Sequence, residues 1–104
     1  AASGALAPDG RVFLGCNIEN ASYPVSICAE RAALAHAVSE GERAFAALAV
    51  IADSPDVCTP CGMCRQVLVE FPIARIILAN TAGNLRILTP ADLLPYAFGA
   101  AALP

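Results

Sequence analysis

The sequence predicts an α/β fold: a mixed five-stranded sheet carrying helices, in the order β-β-α-β-α-β-β, with a short helix after the last strand. Three observations lead there. Short apolar runs bounded by turn residues occur towards both ends of the chain and once in the middle. Two longer stretches rich in helix formers lie between them. The connection "TAG" before the last strand is too short for a crossover, so the last two strands pair antiparallel.

Taken in order, Ala1–Ala7 and Val12–Cys16 flank "PDG", which is turn chemistry, and they read as a β-hairpin. A polar loop, "NIENASYPVS", runs from Asn17 to Ser26. "CAERAALAHAVSEG" reads as a helix from about Cys28 to Glu40, stopped by Gly41. "FAALAVIAD" is a nearly continuous apolar run, the pattern of a buried strand. The loop "SPDVCTP" leads into a second helix, from about Cys61 to Glu70, which ends before Pro72. "ARIILAN" and "NLRIL" are the closing strands, and "TPADLLP" is a short helix with Thr89 as N-cap and Pro90 first. No repeat, low-complexity tract or linker divides residues 1–104, so a single domain is expected.

Composition narrows the functional classes. The chain is 58% hydrophobic, only 14% charged, and has a mean hydropathy of +0.64. With 23 alanines among its residues, the bulk per apolar side chain is low. So few charges cover a surface poorly, which favours an oligomer with apolar surface between subunits. A net charge of −3, with six arginines and no lysine, argues against a nucleic-acid partner. No apolar run approaches the ~20 residues of a membrane span, so no membrane partner is expected. Five cysteines, an odd number in a chain without a secretory segment, point to the reducing cytoplasm and to thiolate chemistry.

Three of those cysteines crowd into "CTPCGMCRQ", Cys58 to Gln66. Cys61-x-x-Cys64 opens a predicted helix, where a redox pair would also sit. That reading leaves Cys28 unaccounted for, and Cys28 opens the other predicted helix. Successive helices on one sheet can bring their N-termini together at the strand ends. Three thiolates would then form a Cys₃ site with an open fourth position, the mark of a catalytic zinc. Glu30, two residues past Cys28, can join them only from the first turn, since regular helix geometry turns it away. A carboxylate there can move protons at a metal site, although alone it is an ordinary acidic residue in a helix first turn.

"CAE" at Cys28–Glu30, followed by "PCGMC" at Pro60–Cys64, resembles the Cys₃ form of the zinc deaminase signature. Together with "GCNIENASY", "PCGMCRQVLVEF" and "LLPYAF", it makes the chain similar to the small homotetrameric cytidine deaminases over about Ala1 to Phe98. The resemblance implies a three-layer sheet flanked by helices and one Zn²⁺ per chain, held by Cys28, Cys61 and Cys64. It implies Glu30 as the catalytic proton carrier in converting cytidine or deoxycytidine to the uridine product and ammonia, a pyrimidine-salvage reaction. It assigns Asn17 and Glu19 to the ribose 3′-hydroxyl, the Ala29 amide to the pyrimidine O2, and Phe98 to a neighbouring subunit's pocket. It gives Arg31 the task of compensating thiolate charge, since three thiolates outweigh Zn²⁺; Arg65 is either a second such cation or a solvated helix charge. The family's opening helix and phenylalanine-containing segment are not found ahead of the first predicted strand.

Other residues receive plainer readings. Cys16 is expected to be a small buried hydrophobe, and Cys58 to stand outside the ligand set. His36 reads as helix-surface or interface packing, and Tyr23 as a loop anchor or an intersubunit contact. Two alternatives stay open: a deaminase of another aminopyrimidine nucleoside such as blasticidin S, and a structural Cys₄ zinc module with Cys58 as fourth ligand. Coordination separates the second, because a closed Cys₄ site excludes water.

Overall fold

The computed structural model describes residues 1–104. Its strands are β1 (Ala2–Leu6), β2 (Val12–Cys16), β3 (Ala47–Ala52), β4 (Ile76–Asn80) and β5 (Leu85–Leu88); its α-helices are α1 (Ala29–Ser39), α2 (Gly62–Glu70) and α3 (Pro90–Leu93). The strands order as β2-β1-β3-β4-β5. Only β3 and β4 pair parallel, because the connection through α2 is long enough to carry the chain back across the sheet. The β1–β2 hairpin, β1–β3 and the closing β4–β5 pair are antiparallel. The expected α/β class and mixed five-stranded sheet are therefore present.

Alternation along the strands decides what each face does. Ala5, Phe13, Leu48, Val50, Ile76 and Leu78 point to one face and bury together with Leu34 and Ala37 of α1, Leu68 of α2 and Leu93 of α3. Each large aliphatic side chain removed from water contributes roughly 1.5–3 kcal/mol, so this one cluster carries most of the cohesion. On the other face Val12, Leu14, Ile51 and Ile87 are exposed. All three helices stand on the first face, and residues 1–104 supply no third layer over the second. No helix is long and apolar enough to cross a membrane.

The helix ends show why the cysteines are placed as they are. Cys28 and Cys61 are N-caps with extended backbones, so each helix begins one residue later than the start read from the sequence. An N-cap residue stays outside the helix while its side chain lies at the exposed N–H groups. The α1 end is set by Gly41, whose φ of +95° only glycine adopts cheaply. Thr89 caps α3 as expected, in a reciprocal pair with Asp92.

Candidate active site

The site assembles where β2 and β3 end and α1 and α2 begin. After β2, residues 17–27 leave the sheet and return through a two-way bridge between Ile18 and Ile27. Ser26 Oγ accepts from the Asn20 amide and Asn20 Oδ1 from the Ser22 amide, which folds the polar loop on itself. The chain is thereby delivered to Cys28. The loop after β3 delivers Cys61 to the same place.

The sulfurs of Cys28, Cys61 and Cys64 lie within 4.8 Å of one another, and those of Cys61 and Cys64 are 3.6 Å apart. Tetrahedral bonds of about 2.3 Å to zinc put ligand sulfurs roughly 3.8 Å apart, so the three residues fit this ion. All five cysteines are free thiols, and half-buried Cys58 does not join the cluster. A Cys₄ module is not what this geometry forms.

The three thiols differ electrostatically. Burial pushes the Cys64 thiol far up from its ordinary value, and contacts with Cys28 and Cys61 and the charge of Glu30 push the same way. The backbone N–H of Cys64 instead holds the exposed Cys61 below its ordinary value. Arg31 Nη2 lies 3.8 Å from Cys28 Sγ and donates to the Ser26 carbonyl at 3.3 Å. The Cys28 contact raises the guanidinium's pKa further, so Arg31 stays a cation beside the sulfurs. Glu30 is buried at 5% exposure in the first turn of α1. A carboxylate so placed beside three metal-ligating thiols can hold and move a proton at one point.

The remaining residues fall at varying distances from their expected surroundings. Asn17 Oδ1 accepts the Ala29 amide at 3.0 Å, so the two groups assigned to ribose and pyrimidine are bonded to each other. Glu19 is exposed two residues along the same segment. Phe98 is 60% exposed, and its carbonyl accepts from Gln66 Nε2 at 2.9 Å. Arg65 donates to the carbonyls of Pro60 and Leu93 at 2.8 and 2.9 Å, which makes it a brace between the ligand loop and α3. Cys16 is exposed, not buried, because it ends the edge strand on the uncovered face. His36 packs edge-on against Phe13 at a ring distance of 5.4 Å, with Nδ1 3.3 Å from the Leu14 carbonyl. Tyr23 projects from the loop at 84% exposure.

Two further residues bear on the site with little local signal in the sequence: Gln66, a polar residue within α2, and Gly15, a glycine within β2. The widest hollow, about 440 Å³ around Phe45, Pro72 and Ile73, lies at the opposite end of β3 and β4 from the thiols. None of the hollows in the surface is lined by Cys28, Cys61 or Cys64.

Comparison with known proteins agrees with this chemistry. Residues 3–80 match the family model described as "Cytidine and deoxycytidylate deaminase zinc-binding region". The chain is 50% identical over 95 residues to the cytidine deaminase of Sporosarcina psychrophila, spanning 89% of this chain and 70% of that one. It is 48% identical over 97 residues to the cytidine deaminase of Halalkalibacterium halodurans, spanning 91% and 74%. The crystal structure of cytidine deaminase from Burkholderia pseudomallei matches the fold with a TM-score of 0.90 at 44% identity, covering 93% of this chain and 80% of that one. With three thiols placed for zinc and a match that spans the sheet and both ligand-bearing helices, the chain belongs to the cytidine and deoxycytidylate deaminase family.

Proposed function

We propose that the protein hydrolytically deaminates cytidine and deoxycytidine to uridine and deoxyuridine, releasing ammonia. One observation carries this reading: a buried carboxylate, Glu30, in the first turn of the helix whose N-cap is one of three converging thiols. Cys28, Cys61 and Cys64 would hold Zn²⁺. Bound there, zinc supplies the Lewis acidity that makes water a nucleophile near neutral pH.

Glu30 takes one proton from the attacking water and delivers it to N3 of the pyrimidine; it then takes the second from the hydroxyl added at C4 and carries it to the amino group, which leaves as ammonia while the C4 carbonyl forms. Its burial matters because a fixed carboxylate loses no time or entropy finding each atom. Arg31 offsets the excess of three negative sulfurs over a divalent ion, with the N-termini of α1 and α2 adding partial positive charge. Asn17 and Glu19 bind the ribose 3′-hydroxyl, and the Ala29 amide meets the pyrimidine O2. Asn17 can do this while its Oδ1 still caps the Ala29 amide, because its Nδ2 donors stay available to the sugar.

The exposed Cys61, the exposed Phe98 and the uncovered apolar sheet face support a homotetramer whose neighbours complete each pocket. Residues 1–104 act as one deaminase domain, and the free thiols fit the cytoplasm, where this reaction would serve pyrimidine salvage. The acidic surface suits a small nucleoside better than nucleic acid. The test is loss of ultraviolet absorbance with cytidine, deoxycytidine, cytosine and blasticidin S, run side by side on zinc-loaded protein. Turnover of the first two is expected. Turnover of blasticidin S alone would move the reading to that substrate, and inactivity on all four would overturn it.

A further inference from the structure

Gly15 faces the first turn of α1 more closely than any other residue type could. A Cβ built there would lie 2.3 Å from the Ala33 amide nitrogen, 2.7 Å from the Ala29 carbonyl oxygen and 2.9 Å from the Ala32 carbonyl carbon. Ala33 N and Ala29 O are the two ends of a first-turn helical hydrogen bond. All three contacts are backbone atoms, so no rotamer change could relieve them. Ala29, Ala33 and Ala37 are fully buried on this side of the helix and leave it smooth enough to come down on the strand. Two residues on, Asn17 Oδ1 takes the Ala29 amide, which has no partner inside the helix. The end of β2 therefore touches the first turn of α1 twice, once through a missing atom and once through a cap.

That turn carries Cys28 at its N-cap and Glu30 one residue past Ala29, while Cys61 and Cys64 come from α2. We propose that the Gly15–Asn17 segment is the seat that positions Cys28 and Glu30 against the two α2 thiols, with Gly15 as a positioning residue of the metal site. The inference rests on the proposed function for its catalytic half only; the placement of Cys28 stands apart from it. To regain an ordinary contact of 3.4 Å, an added methyl would drive the helix backbone back by about 1 Å. Misplacing a reacting group by that much costs on the order of 10²-fold in rate.

The test compares Gly15→Ala, Asn17→Ala and Gly4→Ala with the unaltered protein, each loaded with zinc and, separately, with cobalt(II). Gly4 is the control, since a Cβ there meets only the Leu14 and Val12 side chains at 3.4 Å on the uncovered face. In Gly15→Ala we expect cooperative melting to persist and the cobalt ligand-field bands to shift. Zinc should pass to a chelator at least ~10-fold more readily, the low end for disturbing the groups that orient metal ligands. The kcat should fall about 10²-fold while KM changes far less. Gly4→Ala should match the unaltered protein in its cobalt bands and zinc retention, which report on the thiols within one chain. A Gly15→Ala protein with unchanged bands and zinc retention, even if less stable, would reduce Gly15 to packing and overturn the proposal. Should Gly15→Ala not fold, Asn17→Ala decides, because it loosens the same turn without adding atoms: shifted bands support the seat and unchanged bands overturn it. If the unaltered protein deaminates nothing, the catalytic reading fails while the cobalt spectra still decide the position of Cys28.

Discussion

The two helices that build the metal site begin alike and end up in unlike surroundings. Each starts on a cysteine N-cap. The first turn of α1 is sealed: Ala29 and Ala33 are fully buried, and Glu30 is nearly so. At the start of α2, Cys61 and Gly62 are exposed and Met63 is 60% exposed. The difference comes from what lies beneath. Strand β2 passes under α1 at Gly15, whereas α2 begins beyond the end of β3, beside the Cys28 end of α1, the loop before it and the C-terminal segment. The α1 half is packed against the sheet and carries Glu30, the proposed proton carrier. The α2 half supplies two of the three thiols and leaves Cys61, Gly62 and Met63 exposed.

Removing ligands would break the comparison most severely. Cys28→Ala and Cys64→Ala should each lose zinc and all turnover, and Cys61→Ala should do so despite its exposure; Cys58→Ser should keep both. Elemental analysis beside a rate assay reads this, and zinc loss from Cys58→Ser would bring a fourth thiolate back into the site.

Glu30→Gln comes next. Amide replaces carboxylate at nearly the same size, so fold and zinc should be retained while kcat drops ~10²–10⁴-fold or more. A variant turning over at near-normal rate would mean that the sealed half holds a structural carboxylate and nothing else.

A smaller effect is expected at the rim. Glu19→Ala should weaken nucleoside use by about 2–3 kcal/mol in kcat/KM, the scale of a lost charged hydrogen bond. Any activity on free cytosine should change little, and equal losses on base and nucleoside would take Glu19 out of the sugar site.

The open half is probed most gently through the C-terminal segment. Phe98→Ala should raise KM severalfold, since an aromatic face on a base contributes ~1–3 kcal/mol. Light scattering on the same sample should show a tetramer. An intact tetramer with unchanged KM would make Phe98 an interface residue, and a fully active monomer would rule out shared pockets.

Much of this was legible along the chain because it rests on local rules. Strand alternation, the "PDG" and "TAG" turns, the Thr89 cap and the Cys61–Cys64 spacing depend on neighbours a few residues apart, and each appears in the fold near where it was read. The two helices start one residue after Cys28 and Cys61 because backbone entry into a helix is settled by what receives the first N–H groups. Cys16 was misplaced for a different reason. A strand residue's face follows from alternation, but whether anything covers that face does not.

What the sequence determined by itself was therefore the set of elements, the class of sheet and the chemistry of the thiols. Only the tertiary structure decided that Cys28 meets Cys61 and Cys64, that Glu30 is buried, that Asn17 holds the Ala29 amide, and that one apolar sheet face is bare. Those outcomes depend on how closely a helix can settle on a strand far from it in sequence. That distance is set by steric contact between backbones, as at Gly15, and no local propensity encodes it.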